Sequence, residues 1–319
     1  MDPGFDSACE LLDCRLISAV MRISSAWRAK LREIRLRRSK PLSVTVDDEE
    51  LFVSADGLLL KEPKNAVTVT SESLLHSYRA ALRNSVHAFE REISEGYVTV
   101  RNGVRVGFCG KAVYSDAGTP KITGLTDISS VNIRIAREII GCSEEIYNRC
   151  FSGGLCSLLI AGPPSSGKTT ILRDLSRLIS QRYRVSLIDE RNELAAVYEG
   201  IPANDIGSRT DVFTSYDKYS AIITAVRVMS PQVLICDEIG SSSEVEALRY
   251  AAFSGVHLIA TCHASDMVDL MNKPAVSELM TIGAFDLAAF LGFGIKCGQI
   301  TGIYETEKEI CSDYRAVCL

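Results

Sequence analysis

The second half of the chain alternates short apolar runs with stretches that carry apolar residues at helical spacing. Runs of strand length occupy Ser157–Ala161, Val185–Asp189, Val233–Cys236 and His257–Thr261. Helical patterns follow the first and third of these runs, at Lys168–Gln181 and Ser243–Ser254. Strands that alternate with helices build parallel sheets covered by helices. This half of the chain is therefore predicted to be an α/β domain.

The first half has a different pattern, in which a helical stretch precedes several short strands. Helices are predicted over residues 9–27 and over Glu72–Glu92. Strand patterns lie at Ser43–Val46, Glu50–Val53, Ala66–Thr70, Tyr97–Arg101, Val104–Val113 and Val131–Ile135. Asn102-Gly103 is typical of a hairpin turn. The chain is thus predicted to have an N-terminal α+β domain at 1–140 and an α/β domain at 141–319, joined by a hinge over Gly141–Gly154.

Composition narrows the class of protein. The 319 residues are 46% hydrophobic and 24% charged, as in an ordinary folded protein. The net charge of −5 argues against a basic nucleic-acid binder, and no apolar run reaches the ~18 residues of a membrane span. The eleven cysteines contain no CxxC pair and favour a reducing cytosol. Those inside apolar runs are expected to be buried thiols: Cys109, Cys156, Cys236 and Cys262.

A glycine-rich loop follows the first apolar run of the second domain. Residues 162–169 read GPPSSGKT and match G-x-x-x-x-G-K-[ST] without deviation. Backbone N–H groups of such a loop cradle phosphate oxygens, and the next helix adds positive charge. Lys168 is placed to reach the β- and γ-phosphates, and the Thr169 hydroxyl to ligate Mg²⁺. The predicted nucleotide-binding residues are Gly162, Pro163, Pro164, Ser165, Ser166, Gly167, Lys168, Thr169 and Thr170. The alternative is a plain strand-to-helix turn.

Two carboxylates end the third apolar run. Asp237 is placed to hold the water shell of Mg²⁺, and Glu238 is placed to polarise an attacking water as general base. Ligands of open parallel sheets bind at the carboxyl ends of the strands, where both residues are expected. The alternative is that the two acids cap the following helix.

Two further run ends carry polar residues. His263 follows the fourth run and is expected to sense the γ-phosphate or to orient water. Residues 189–193 read DERNE, in which Asp189 or Glu190 is a candidate for a contact to metal or water. The alternatives are an ordinary surface or core histidine and a solvated turn.

An arginine that stabilises a transferring phosphoryl group is supplied either by the same chain or by a neighbour. The candidates in the second domain are Arg191, Arg209 and Arg227, each with a surface salt bridge as its alternative. Arg209 lies in a segment that is predicted to be a loop. Three arginines near predicted strand ends of the first domain are further candidates, namely Arg105, Arg134 and Arg137.

Several segments together resemble the stage III sporulation protein AA family of endospore-forming bacteria. They are VRVGFCGKAVY at 104–114, VNIRIARE at 131–138, IDERNELA at 188–195, DIGSRTDV at 205–212, MSPQVLICDEIG at 229–240 and GVHLIATCHA at 255–264. The phosphate loop is shared by many families, whereas DERNE and DIGSRTDV are much more specific. More distantly, the chain is similar to the ATPases of type II and type IV secretion and of pilus retraction.

The resemblance implies a RecA-like, ASCE-type P-loop NTPase core with ATP and Mg²⁺ as cofactors. It also implies a hexameric motor for a secretion-type channel between mother cell and forespore, with the membrane-embedded proteins of that channel as partners. The implied location is the cytoplasm of the mother cell, with a peripheral position at the inner face of the membrane as an option.

Two other functions remain open at this point. The segment Arg28–Lys40 holds seven basic residues and only Glu33 as an acid, so it could neutralise nucleic-acid phosphates or dock on a partner surface. The overall charge and the lack of interleaved aromatic residues weigh against a nucleic-acid translocase. A nucleotide-gated scaffold with negligible turnover is the third function, against which the Asp237-Glu238 pair argues.

Overall fold

The structure, a computed structural model, describes residues 2–47, 49–83, 92–93, 96–114, 122–135, 138–294 and 297–306. The chain folds into two compact units. The first contains Met1–Arg137 and Ala196–Ala203, and the second contains Glu138–Ala195 and Asn204–Leu319. The short segment 196–203 therefore belongs to the first unit although it lies within the sequence of the second.

The first unit is built on an antiparallel seven-stranded sheet in the order β4-β3-β2-β1-β7-β6-β5. The strands are β1 (Leu31–Arg37), β2 (Ser43–Val46), β3 (Glu49–Val53), β4 (Leu59–Leu60), β5 (Tyr97–Thr99), β6 (Arg105–Tyr114) and β7 (Ile122–Arg134). The helices are α1 (Pro3–Glu10), α2 (Cys14–Met21), α3 (Ser25–Arg28) and α4 (Ser71–Ala81). The predicted α+β pattern and the hairpin at Asn102-Gly103 are confirmed in this unit, with φ of 55° and 69° at the turn.

Three predictions for this unit need correction. The single helix expected over residues 9–27 is three short helices, because the Asp13 carboxylate accepts the N–H groups of Arg15 and Leu16 and starts a new helix. The strand expected at Ala66–Thr70 forms only isolated bridges. The helix expected to reach Glu92 ends at Ala81, and residues 84–91 lie outside the described residues.

The segment 196–203 forms a small hairpin of β10 (Val197–Tyr198) and β11 (Ile201–Pro202). Within the first unit, the Arg83 guanidinium lies over the Tyr198 ring at 4.6 Å and pairs with the Glu199 carboxylate at 2.8 Å. These contacts explain why the hairpin is part of this unit, which the sequence pattern did not predict.

The second unit contains a seven-stranded sheet in the order β12-β9-β13-β14-β8-β15-β16. Its strands are β8 (Leu158–Ala161), β9 (Val185–Asp189), β12 (Thr210–Thr214), β13 (Val233–Cys236), β14 (His257–Cys262), β15 (Leu287–Leu291) and β16 (Ile300–Glu305). All neighbours are parallel except the pair β15–β16. The helices are α5 (Glu144–Phe151), α6 (Lys168–Ile179), α7 (Lys218–Thr224), α8 (Ser242–Phe253), α9 (Met267–Met271) and α10 (Pro274–Thr281). The predicted α/β class is confirmed.

Continuous apolar runs became the central strands of this sheet. Every residue of β8, β9 and β13 is buried, as expected for strands covered by helices on both faces. Because these strands are parallel, the residues that follow them all lie at one edge of the sheet. The phosphate loop, DERNE and Asp237-Glu238 therefore share the carboxyl edge, which is where the sequence predicted them.

Two of the four cysteines expected to be buried are confirmed. Cys236 and Cys262 are buried, and burial raises the pKa of each thiol to about 12. Cys156 is half-buried and Cys109 is exposed on β6, so these two expectations were wrong. Cys109 begins a run of three exposed residues in β6 that ends at Lys111, although apolar residues stand on either side of this run.

The segment after Gly141 is held in place rather than free. It contains α5, and the Asp174 carboxylate on α6 accepts the N–H groups of Gly141 and Ser143 and the Ser143 hydroxyl, at 3.2, 2.8 and 2.7 Å. Arg177 pairs with the same carboxylate at 2.6 Å. Burial raises the pKa of Asp174, but the hydrogen bonds outweigh it, so its pKa lies below the ordinary value. The expected hinge over Gly141–Gly154 is thus anchored to the helix that follows the phosphate loop.

The substitution Asp174→Asn is expected to lower the free energy of unfolding by about 2 kcal/mol at pH 7, because an amide cannot accept all of these hydrogen bonds in a buried site. Since the folded-state pKa is lowered, this stabilisation is present above the unfolded pKa of the carboxyl and is lost as pH falls through the folded pKa. Urea denaturation at pH 7 and at pH 3 measures both effects. The exposed Asp211→Asn is the control and should change stability by less than about 0.5 kcal/mol. An unchanged unfolding midpoint for Asp174→Asn would contradict the assignment.

Candidate active site

The phosphate loop connects β8 to α6 and has the backbone shape of an anion cradle. Gly167 has a φ of +90° at the N-cap of α6, and no side chain caps this helix. A Cβ on Gly162 would lie 2.6 Å from the Ser166 hydroxyl oxygen, so any other residue there would displace the Ser166 side chain. That hydroxyl is buried and has no hydrogen-bond partner among the described residues. The N–H groups at the start of α6 are therefore left without a side-chain cap, which suits a phosphate ligand.

Lys168 lies at this loop with 7% of its surface exposed. Its ammonium donates to the carbonyl oxygens of Gly162 and Pro163 at 2.8 and 2.9 Å. Burial lowers the pKa of Lys168, and the nearby carboxylates of Glu238 and Asp237 raise it to a smaller extent. A cation therefore lies within the loop, between two of its own carbonyl groups.

Oxygen ligands for a hard cation meet beside the loop. The Asp237 carboxylate accepts the Thr261 hydroxyl at 2.8 Å through one oxygen and the Thr169 hydroxyl at 3.5 Å through the other. A carboxylate next to a hydroxyl at the start of a phosphate-loop helix is the donor set that Mg²⁺ takes in P-loop proteins. The residues present therefore fit the metal.

His263 joins Lys168 to Glu238. Its Nδ1 lies 3.0 Å from the Lys168 ammonium and its Nε2 lies 3.2 Å from the Glu238 carboxylate. An ammonium can only donate, so Nδ1 must accept, and the proton of a neutral ring is then on Nε2, where it donates to Glu238. Lys168, His263 and Glu238 are thus brought together as predicted. The Glu238 side chain is half-exposed, and His263 contacts one of its carboxylate oxygens.

Asp189 and Glu190 have different environments. The Asp189 carboxylate is buried and accepts the N–H groups of Glu193, Leu194 and Ala195 at 2.7, 3.0 and 2.8 Å. Burial raises the pKa of Asp189, and these hydrogen bonds oppose the rise. Asp189 therefore organises the turn that follows β9, so of the two candidates Asp189 and Glu190, Glu190 remains the candidate for a contact to metal or water.

A pocket of about 240 Å³ opens at the same sheet edge. Its lining includes Glu190, Arg191, Asp237 and Glu238 from predicted segments. It also includes Lys218, which the sequence analysis missed. Lys218 begins α7 directly after β12, and a correct prediction of β12 would have placed it at the carboxyl edge.

Two predicted arginines are not brought to the phosphate loop of their own chain. Arg209 precedes β12 and donates to the carbonyl oxygens of Ser180 and Gln181. Arg227 is exposed, lies over the Tyr250 ring at 5.9 Å and precedes β13. Positions before parallel strands lie at the amino edge, opposite the site. Within one chain, both arginines are therefore remote from the loop.

The arginine candidates of the first unit have partners within that unit. Arg105 lies over the Tyr97 ring at 4.7 Å, and Arg134 pairs with Glu33 at 3.4 Å. Arg137 lies outside the described residues.

The basic segment Arg28–Lys40 is mostly strand β1, and several of its charges are paired. Ion pairs join Lys30 to Asp47, Arg35 to Glu33 and Arg37 to Glu50, at 2.8, 2.7 and 2.7 Å. Arg38 donates to the carbonyl oxygen of Ile128. Three of the seven basic residues of this segment are therefore paired with carboxylates within the first unit, which weighs against a nucleic-acid surface.

Comparison with known proteins places these features in a family. The model of the family "Sporulation stage III, protein AA" matches residues 7–311. Stage III sporulation protein AA of Bacillus subtilis (strain 168) is 33% identical over 310 residues, which are 95% of this chain and 96% of that protein.

Solved structures show the same fold. The pilus retraction motor PilT, solved with bound ADP, has a TM-score of 0.60 at 15% identity and covers 97% of this chain and 90% of its own. The Legionella pneumophila ATPase DotB has a TM-score of 0.52 at 15% identity and covers 82% of this chain and 72% of its own. Among the described residues, no helix is both long and apolar enough to cross a bilayer. Because both the family model and the Bacillus subtilis relative extend over nearly its whole length, the chain belongs to the sporulation stage III protein AA family.

Proposed function

We propose that this chain is a Mg²⁺-dependent ATPase that works as a hexameric motor on a secretion-type channel during endospore formation. The observation that carries the proposal is the meeting of the phosphate loop, the Thr169–Asp237 pair and the Lys168–His263–Glu238 chain at one sheet edge. The P-loop ATPase fold and the family membership support it. The membrane-embedded proteins of the channel are the proposed partners, and the cytoplasm of the mother cell is the proposed location.

The residues divide the work of hydrolysis. Gly162–Thr170 would hold the phosphates of ATP, and Thr169 and Asp237 would hold Mg²⁺. When bound, MgATP supplies the phosphoanhydride bond, and the metal neutralises charge on its oxygens. Lys168 adds positive charge at the loop. Glu238, steadied by the Nε2 proton of His263, takes the proton of the attacking water, with Glu190 as the second carboxylate of the pocket.

Turnover and size measurements test this proposal together. Purified protein is expected to hydrolyse ATP only when Mg²⁺ is present, and to form a hexamer when a non-hydrolysable ATP analogue is added. Light scattering with and without the analogue measures the size. Binding without turnover in the assembled ring would favour the scaffold alternative, and a monomer under all conditions would contradict the motor.

Arg227 is proposed to act on the nucleotide of a neighbouring subunit. A ring made only of Arg227→Ala subunits, or only of Lys168→Ala subunits, should be inactive. An equal mixture should recover about a quarter of wild-type turnover, since half of the sites are intact and half of their neighbours carry the arginine. Native mass spectrometry verifies that subunits mix. Mixed rings without recovered turnover would contradict action in trans.

A further inference from the structure

Lys218 occupies a position that its own helix does not favour. It is the first residue of α7, where the helix dipole repels a cation. Its side chain is nevertheless only 11% exposed. Its ammonium donates to the carbonyl oxygen of Glu238 at 2.5 Å and lies 3.4 Å from the Glu244 carboxylate. The Lys218 side chain is therefore held by Glu238 and Glu244, which follow β13, and not by a preference of its own helix for a cation.

These contacts continue into the backbone beyond Glu238. The Glu244 carboxylate that pairs with Lys218 also accepts the N–H of Gly240 at 2.9 Å. The N–H of Ile239 donates to the carbonyl oxygen of Thr261 at 3.0 Å. The backbone of residues 238–240 thus makes a hydrogen bond at each residue. Lys218 and Glu244 supply two of these three hydrogen bonds. The direction of the Glu238 side chain depends on this short segment.

Among the described residues, the Glu238 side chain is held at one point. It is 47% exposed, and its carboxylate lies 3.2 Å from the Nε2 atom of His263. It lines the same pocket as Lys218, Glu190 and Asp237. A half-exposed carboxylate keeps one direction only if its backbone does, and a misplacement of about 1 Å at a reacting group can cost about a hundredfold in rate.

We propose that Lys218 is a positioning residue that, with Glu244, fixes the backbone of Glu238 and so aims its carboxylate at the attacking water. This inference rests on the proposed ATPase function. It predicts that Lys218 affects the rate of ATP hydrolysis and not the affinity for the nucleotide. Lys218 does not touch the nucleotide in this role.

The test compares Lys218→Met and Lys218→Arg with wild type. Lys218→Met should lower kcat about ten- to hundredfold and leave KM and the calorimetric Kd for MgATP within about twofold. Lys218→Arg should recover most of the rate, because a guanidinium can also donate to a carbonyl group and pair with Glu244. Lys273→Met is the matched control: Lys273 pairs with Asp269 at 3.5 Å on the surface, and its loss should not change kcat.

A double substitution tests whether Lys218 acts through Glu238. In the Glu238→Gln background, adding Lys218→Met should cause little further loss, since the group being positioned is already removed. A second, equally large fall would mean that Lys218 acts elsewhere, and would overturn the inference.

Hydrogen exchange gives a readout that does not depend on activity. In the nucleotide-free protein, the peptide spanning residues 237–241 should exchange faster in Lys218→Met than in wild type, while the phosphate-loop peptide is unchanged. Unchanged exchange and kcat, with only a lower Tm, would identify a purely structural pair and overturn the inference. A wild-type protein without turnover would overturn the proposed function and this inference with it, whereas turnover insensitive to Lys218→Met would overturn the inference alone.

Discussion

Lys168→Ala is expected to reduce ATP turnover at least about a thousandfold and to weaken ATP binding about a hundredfold. The ammonium of Lys168 is the cation that the structure holds between the loop carbonyl groups of Gly162 and Pro163, close to His263. Its removal leaves the phosphate charge to Mg²⁺ and to the backbone N–H groups of the loop, and the N–H groups lack a full positive charge. Calorimetric titration with MgATP and a phosphate-release assay measure the two effects separately.

The same substitution should not destabilise the fold. Burial lowers the pKa of Lys168, so the charged form of this side chain is less favourable in the folded protein than in the unfolded chain and costs stability wherever the ammonium is charged. Lys168→Ala should therefore keep or raise the Tm while it removes activity. Lys40→Ala, which removes an exposed lysine, is the control and should leave turnover and Tm unchanged. A protein that still binds ATP with wild-type affinity after Lys168→Ala would exclude this loop as the phosphate site.

The sequence predicted best what depends on continuous apolar runs. The bounds predicted for β9 and β13 match the structure because both strands are buried over their whole length. Parallel pairing then brings their ends to one edge, so the meeting of Glu238, His263 and the phosphate loop was predictable without knowledge of side-chain contacts.

Half-exposed strands and long-range pairing were not predictable in this way. β12 is a short edge strand with only two apolar residues, and none of its residues is buried, so its segment was interpreted as a loop. That error concealed the position of Lys218, since α7 is the element that follows β12 and begins four residues after its end. The pairing of the Arg28–Lys40 charges was also hidden, because the carboxylates of Asp47 and Glu50 come from neighbouring segments of the sheet.

The contacts of the His263 ring favour Glu238, rather than His263, as the proposed general base. The Nδ1 atom of His263 faces the Lys168 ammonium and its Nε2 faces Glu238, so neither ring nitrogen is left to take a proton from water. Glu238 has further acceptor capacity and is half-exposed toward the pocket. His263 thus orients the carboxylate that we propose as the general base.

Glu238→Gln is accordingly expected to lower kcat about a hundred- to ten-thousandfold, the range attributed to general-base catalysis, while MgATP still binds. Glutamine keeps the shape of the side chain and can still accept the Nε2 proton of His263, but it cannot take a proton from water. Single-turnover kinetics measure the chemical step, and filter binding measures retention of unhydrolysed ATP. Glu246→Gln, an exposed change on α8, is the matched control and should behave as wild type. If Glu238→Gln keeps turnover within tenfold of wild type, Glu238 is not the general base. The role would then pass to Glu190, and Glu190→Gln would have to abolish turnover.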